Sequence, residues 1–379
     1  MRVLIIPSWY FPLNSDEIGG RMFHAFAVGL KEKGIDARIL FAEFSPDAPF
    51  RKEINVSKEE GIRTYRIRQK FPPRINSIII RSWVNKYVKA ILAYMEIEGK
   101  PDFIHAQSYM AGMVCAELYR RTNIPFVLTE RVSTFISGKI PLRHKSFIRD
   151  CFDFATAITC VSPGLKSHLT KYTKKPIEVF PNFYDPSIFY RDPTGEKYKR
   201  FTFLSVGEPA YVKGLDLLLK AFAIFRQKFQ DVDMQLILID RIHEQNQLMD
   251  LSRKLKIENE ISWAGLISPE LVAEFMRHSH ILVSASRTET FGKTILEAQA
   301  CGLPVIATKT DGASFIITSP AQGILIELNS VDALAHAMSE MYLNYTKYHP
   351  GSIVAAVKSR FKKDIVMDEW VHFYKNFLA

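Results

Sequence analysis

Glu289 and Glu297, separated by seven residues within SRTETFGKTILEAQACGLPVIAT (Ser286–Thr308), are the side chains best placed by type and spacing to do chemistry. The same stretch holds Gly-Lys-Thr at 292–294, the ending of a Walker phosphate loop. A Walker loop needs a second glycine five residues before the one preceding the lysine, so that backbone N–H groups can curl around a phosphate. Arg287 occupies that position, its side chain blocks the curl, and the match is accidental. The segments read instead as strand (HILVSAS), loop (RTETFG), helix (KTILEAQACG) and strand (LPVIAT). In that order the amides of Phe291, Gly292 and Lys293 open a helix, whose N–H groups and dipole can hold an anion such as a nucleotide diphosphate. Glu297, about one turn into the helix, can accept hydrogen bonds from the vicinal hydroxyls of a ribose. A pair of glutamates is more often a solvated face; the strand-loop-helix setting favours a site.

The elements that would position these residues recur along the chain. Its 379 residues suit two α/β domains, and 47% hydrophobic against 24% charged residues is a globular composition. RVLIIP, DARILFAE, PDFIHAQ, IPFVLTE and AITCVS are strand-like and alternate with helical patterns such as RMFHAFAVGLKEKG, the βαβ order of a parallel sheet. A polar linker, Tyr184–Arg200, interrupts the series, which resumes with FTFLSVG, DMQLILI, EISWAG, HILVSAS and LPVIAT. The expected fold is two doubly wound α/β domains facing each other across a cleft. Their expected bounds are residues 1–188 and 189–352, with helices over 353–379 returning to the first domain. Neither half has Gly-x-Gly-x-x-Gly after its first strand, so the dinucleotide fingerprint is missing, and the default site is the cleft at the strands' carboxyl ends.

The net charge of +10 lies in the first half: residues 1–185 hold 28 Lys and Arg against 18 Asp and Glu, and the remainder holds 22 of each. Residues 51–100, including Arg63, Arg66, Arg68, Lys70, Arg74 and Arg81, read equally as a solvated basic face or as a surface for anionic lipid or a phosphate-bearing acceptor. No nucleic-acid motif accompanies them, so nucleic acid is not an expected partner. RVLIIP is too short for a signal peptide and no apolar run spans a bilayer; a cytoplasmic location is expected. Cys115, Cys151, Cys160 and Cys301 form no Cys-x-x-Cys pair and read as reduced core residues, and the ten histidines lack zinc spacing. Asp231 and Asp233, in a turn before MQLILI, do not read as a metal pair.

Several ordered motifs then resemble the retaining glycosyltransferases of the GT-B fold, family 4 in particular. ETFGKTILEAQACGLPVIAT resembles their Glu-x7-Glu signature. IPSWYFP…GG, PDFIHAQ, VSPGLKSHL, PNFYDPSIF and LSVGEPAYVKGLDLLLKAF are similar to further family segments, so the likeness spans almost the whole chain. The resemblance implies two Rossmann-like domains and transfer of a hexosyl group, with retained configuration, from a nucleotide sugar, a UDP-sugar being favoured. The expected acceptor is a glycan or lipid-linked molecule in cell-surface polysaccharide or glycoconjugate biosynthesis, reached in the cytoplasm or at the inner membrane face. By the same resemblance Glu297 holds the ribose and Glu289 contacts the donor sugar. Lys213 neutralises the diphosphate, and the amides of Thr290, Phe291, Gly292 and Lys293 grip its oxygens. Gly19 and Gly20 admit the phosphates closely. Cation and amides placed where leaving-group charge grows would stabilise the transition state without a metal or other cofactor.

The chain departs from the family pattern at two informative places. Arg131 follows Thr-Glu where a histidine is usual near the donor sugar, and an arginine can only donate. Glu208 stands after Gly207 where an arginine is common, putting an anion beside the expected diphosphate. LILIDRIHE replaces a common Gly-Asp-Gly-Pro-Glu on the base side. His105, at a strand end, is expected to face the acceptor or donor, and Glu130 to be either a cleft residue or a partner of Arg131. Arg131 and Glu208 also sustain an alternative, a non-catalytic partner or scaffold of a glycosyltransferase complex.

Overall fold

The computed structural model describes residues 1–11, 20–45, 53–70, 77–240 and 242–378. The chain forms two compact units, one of Met1–Phe180 with Met367–Ala379 and one of Pro181–Val366. The division thus falls at 180 and 366 rather than at 188 and 352. The backbone gives the reason: Tyr184 N donates to the Phe361 carbonyl at 3.1 Å and Lys363 N to the Tyr184 carbonyl at 3.2 Å. These bonds fasten 181–188 and the helix Pro350–Phe361 into the second unit, where Tyr184, Phe189, Ile353, Val357 and Phe361 are buried.

The first unit is built on eight strands: β1 (Arg2–Pro7), β2 (Asp36–Ser45), β3 (Glu53–Glu59), β4 (Ile62–Lys70), β5 (Phe103–Gln107), β6 (Phe126–Glu130), β7 (Ala157–Cys160) and β8 (Ile177–Val179). They lie in the order β3-β4-β2-β1-β5-β6-β7-β8, all parallel except β3, which runs antiparallel to β4. β1, β5 and β6 read as near-continuous apolar runs because helices cover both faces of a parallel sheet. The helix Arg21–Glu32 presents Phe23, Phe26, Ala27 and Leu30 inward. The C-terminal helix Lys363–Leu378 buries Trp370 and Tyr374 against Phe26, His105 and Phe103.

The basic segment holds two elements that its charges conceal. β3 and β4 form a hairpin across Glu60 and Gly61, both at positive φ (43° and 82°), the geometry of a two-residue type I′ turn. The helix Ser77–Glu98 follows, with Ile80, Val84, Tyr87, Val88, Ile91 and Tyr94 buried along one stripe. Arg66 pairs with Glu59 at 2.9 Å, Arg63 and Arg38 with Glu98 at 2.9 and 2.5 Å, and Arg68 with Glu43 at 3.2 Å. Part of the basic excess is therefore engaged within the unit; Arg74 lies outside the described residues.

The second unit has six parallel strands: β9 (Phe201–Val206), β10 (Met234–Ile239), β11 (Ile261–Trp263), β12 (Ile281–Ser284), β13 (Val305–Thr308) and β14 (Gly323–Ile326), in the order β11-β10-β9-β12-β13-β14. One core gathers Phe203, Phe222, Phe225, Leu236, Met338 and Met341 from strands and from the helices Leu215–Lys228 and Val331–Leu343. Chain order reverses between β1 and β5 in the first unit and between β9 and β12 in the second. Ligands bind open α/β sheets at the carboxyl end of such a reversal. Among the described residues no helix is long and apolar enough to cross a membrane, and the four cysteines are unpaired and buried.

Candidate active site

In the second unit the reversal is framed by the loop after β9 and the loop after β12. The first runs through Gly207 and the half-buried Glu208 into the short helix Ala210–Lys213. Gly207 has φ +133°, and a Cβ there would lie 2.8 Å from Lys213 Cε, so the glycine makes room for the lysine stem. Gly214 ends that helix at φ +66°, where a Cβ would meet the Ala285 carbonyl oxygen at 2.1 Å. This close approach joins the two loops. Arg287 secures them further: its amide donates to the Val212 carbonyl at 2.8 Å, and its guanidinium grips Asp216 through two bonds of 2.8 and 2.9 Å.

That scaffold places Lys213 against Glu289, its ammonium donating to the carboxylate. Ser286 Oγ donates to the same carboxylate oxygen at 3.0 Å. Both charged side chains are mostly covered, 18% and 13% exposed. Glu289's carbonyl accepts from Gly312 N at 3.1 Å, and a Cβ on Gly312 would lie 2.4 Å from the Phe291 carbonyl carbon. Thr290 is half-buried beside it. Phe291 is buried with its ring edge-on to Phe361 and Phe315 at 5.7 and 6.2 Å, so its side chain anchors the loop.

Gly292, at φ +83°, turns the chain into the helix Lys293–Ala300. Glu297 is buried on this helix and pairs with Lys293 one turn earlier, Nζ to Oε1 at 2.8 Å. One lysine–glutamate pair thus joins the two loops that leave the reversal, and a second lies on the helix that the loop after β12 opens. Such a set can exchange its carboxylate partners for an anionic ligand and can accept hydroxyl hydrogens through the glutamates. Asp233 is bonded to Arg200 at 2.9 Å, and among the described residues no group of three or more His, Cys, Asp or Glu is placed to hold a metal.

The first unit corrects one expectation and specifies another. His105 does not face a ligand: it is wholly buried, one ring nitrogen bonded to Tyr374 OH at 2.5 Å and the other to Thr129 Oγ1 at 2.5 Å. Burial, with the charge of Arg131 adding to it, holds its pKa well below the usual histidine range, so it is a neutral core residue. Glu130 is also wholly buried, and its side chain accepts the amides of Tyr109, Arg131 and Val132 at 2.9, 2.7 and 2.9 Å. It therefore caps the helix Tyr109–Thr122 and meets Arg131 through the backbone. Burial pushes its carboxyl up to about 7 against the pull of those three amides. The half-buried Arg131 donates from Nε to Gln107 Oε1 at 2.8 Å, and its guanidinium lies 5.9 Å over the Phe23 ring; burial draws it down to about 10. Gly20, at φ +85°, opens the helix Arg21–Glu32; Gly19 lies outside the described residues.

Ser286, Asp216, Gly214 and Gly312 shape the second-unit loops without having been singled out from sequence, and Arg287 was noted there only as excluding a Walker loop. Ser286 and Arg287 lie inside the signature stretch itself, where the serine's proximity to Glu289 was a usable signal. The Asp216–Arg287 clasp spans 71 residues and has no local mark.

Comparison with known proteins agrees with this architecture. The family model for Glycosyltransferase Family 4 matches residues 19–188, and that for Glycosyl transferases group 1 matches residues 187–350. An uncharacterised glycosyltransferase of Methanocaldococcus jannaschii is 29% identical over 349 residues, covering 91% of this chain and 89% of its own. The D-inositol 3-phosphate glycosyltransferase of Paenarthrobacter aurescens is 25% identical over 275 residues, 65% of each chain. Sucrose-phosphate synthase from Thermosynechococcus elongatus superposes with a TM-score of 0.84 over 100% of both chains at 19% identity, a likeness of fold. The two Rossmann-like units, with sheets parallel except at β3, have the GT-B fold. The chain belongs to glycosyltransferase family 4.

Proposed function

We propose that this glycosyltransferase retains configuration and moves a hexosyl group from a nucleotide sugar, a UDP-sugar by preference, to a glycan or lipid-linked acceptor. The observation that carries the reading is the pairing of Lys213 with Glu289 across the two loops that leave the second unit's strand reversal, and of Lys293 with Glu297 on the helix that follows. On donor binding, the diphosphate takes Lys213 and the amides of Thr290 to Lys293, freeing Glu289 for the donor sugar. Glu297 accepts from the ribose hydroxyls. As the glycosidic bond breaks, negative charge grows on the diphosphate beside an ammonium and a helix N-terminus, which stabilise it without a metal. The setting proposed is cytoplasmic, in cell-surface polysaccharide or glycoconjugate synthesis. Contact with the inner membrane face would use the basic charges of the first unit that ion pairs do not engage.

A second reading, a non-catalytic partner protein, is favoured by Glu208, an anion in the same loop as Lys213. Calorimetry with UDP-, GDP- and ADP-sugars separates the two. One donor is expected to bind at micromolar Kd and to bind about 10–100-fold more weakly to Glu297→Ala, the scale of hydrogen bonds to a charged group. If no donor binds the native protein, the partner reading replaces the catalytic one.

A further inference from the structure

Three helices of the first unit begin at the same end of its sheet. Ser77–Glu98 joins β4 to β5, Tyr109–Thr122 joins β5 to β6, and Lys145–Phe154 joins β6 to β7. These strands run parallel and each step moves the same way along the sheet, so right-handed crossovers stack the helices on one face with their N-termini at the strands' carboxyl ends. A cleft of about 380 Å³ is lined by all three, with Arg81 from the first, Met113 from the second, and Phe147 and Asp150 from the third.

Helix dipoles make such an end positive, and an acidic group near the first turn offsets them. The middle helix has one: Glu130 accepts the amide of Tyr109 at 2.9 Å. Neither outer helix has an acidic residue in its first turn. Arg81 stands near the start of one, and Arg143 and Lys145 at the start of the other, with Arg149 a turn further on. Between Glu130 and Asp150 the chain carries no acidic residue, and Asp150 is taken by Arg120 at 2.8 Å. Arg81, Lys139, Arg143, Lys145 and Arg149 are exposed, and none forms an ion pair among the described residues. Cations so placed oppose the helix dipoles, and no contact within the chain offsets that cost. Apolar side chains are exposed at the same end. Ile78 and Leu142, each 79% exposed, are the most exposed large apolar residues among those described. Ile78 lies one turn before Arg81. Leu142, Lys145 and Arg149 follow one another at helical spacing, on the side opposite the buried Ile148, Cys151 and Phe152.

Neither feature alone marks a site, since single exposed apolar side chains are ordinary and charged residues belong at the surface. Together they fit one occupant. A soluble polyanion would satisfy the cations and leave Ile78 and Leu142 in water, whereas an anionic bilayer takes the cations at headgroup level and buries both side chains among acyl chains. We propose that this end of the first unit, through Arg81, Arg143, Lys145 and Arg149 around Ile78 and Leu142, docks on a bilayer of anionic lipid. The proposal rests on the membrane contact in the function proposed above and gives it a surface. Of the basic segment 51–100 it keeps Arg81, and it places most of the contact on the crossover after β6.

Sedimentation of the full chain with phosphatidylcholine vesicles, with and without an equal part of phosphatidylglycerol, tests this without donor or acceptor. Binding is expected only with the anionic vesicles and should weaken as salt is added. Arg143→Gln with Lys145→Gln is expected to weaken it about 25-fold, roughly fivefold for each cation at a charged surface. Leu142→Ser, checked by circular dichroism for native folding, is expected to weaken it about tenfold, the scale of withdrawing a leucine from an apolar phase. Lys58→Gln with Lys100→Gln removes the same charge from the sheet's amino end, where both lysines are exposed, and should leave binding almost unchanged. No binding to anionic vesicles, or equal losses from the two double variants, overturns the docking surface. Binding that Leu142→Ser leaves intact overturns the bilayer as occupant, and competition by soluble polyphosphate would then assign the surface to a free polyanion. Because donor calorimetry is independent of sedimentation, failure of the docking surface leaves the donor reading standing, and a protein that binds no donor can still be scored for docking.

Discussion

At the ends of β9 and β12 the second unit sets lysine against glutamate twice, whereas in the first unit the exposed indole of Trp9, after β1, and the half-buried guanidinium of Arg131, after β6, both pack on the buried ring of Phe23. That unit's carboxylate, Glu130, is turned inward onto three amides. Both sheets reverse chain order, at β1 and at β9, so topology alone does not decide what each end binds. The difference lies in how charge is handled. In the second unit the charged partners can change places with an anionic ligand. In the first unit the charges of Glu130 and Arg131 are held by burial and hydrogen bonding, with the indole of Trp9 exposed nearby.

The largest effect that would test this contrast is at Lys213. Lys213→Ala is expected to lower the rate at which the protein hydrolyses its bound nucleotide sugar by about 10²–10³-fold, the usual loss when a group that stabilises developing charge is removed. Single-turnover assays on the preferred donor provide the measurement. A loss below tenfold would mean that the helix amides carry the diphosphate alone, and the contrast between the two sheet ends would lose its catalytic meaning.

Glu130 gives a smaller effect in the first unit, read from stability rather than turnover. Its folded pKa of about 7 exceeds the ordinary 4.5, so the folded state keeps a proton that the unfolded chain releases between those pH values. The associated stability is complete below about pH 4.5 and is lost as pH rises through about 7. Glu130→Gln should therefore flatten the fall of unfolding free energy across this window, by at most about 1.4 kcal/mol per pH unit. Urea titrations at pH 5 and 7 test this through the difference in slope, which is insensitive to any constant cost of the substitution. Parallel slopes in the two proteins would show that the three amides hold the carboxylate ionised.

The same contrast explains what could be read from sequence. The second-unit loop was legible because strand, anion-binding turn and helix follow one another within about two dozen residues, and local order fixes where Glu289 and Glu297 lie. The continuous apolar strands were legible for a related reason: burial on both faces leaves a mark in each segment alone. The hairpin β3–β4 was not, since the buried Arg66 breaks the alternation that would announce a strand, and its charge is paired with Glu59 on the neighbouring strand. His105 misled similarly. Its strand-end position was visible, but the hydroxyl that occupies its ring belongs to Tyr374, 269 residues later. The unit boundary near 181 depends likewise on Phe361, whose backbone bond to Tyr184 no local pattern foretells.

The basic excess of the first half offers the smallest effect and a check on what the ion pairs contribute. Arg68 and Glu43 join β4 to β2 at 3.2 Å, with side chains 45% and 43% exposed, so water and salt screen their attraction. A double-mutant cycle of Arg68→Ala and Glu43→Ala, followed by chemical denaturation, should give a coupling of about 0.2–1 kcal/mol that shrinks as salt is added. The sheet would then owe its edge mainly to the buried faces of Tyr65 and Ile67 and to the backbone ladder, with the arginine available to an external anion at little cost to the fold. A coupling above about 2 kcal/mol would reverse that assignment, since a pair so strong would have to be shielded from solvent. Arg68 would then be structural at the surface as Arg66 is in the interior, and would be withdrawn from the basic charges open to an external anion.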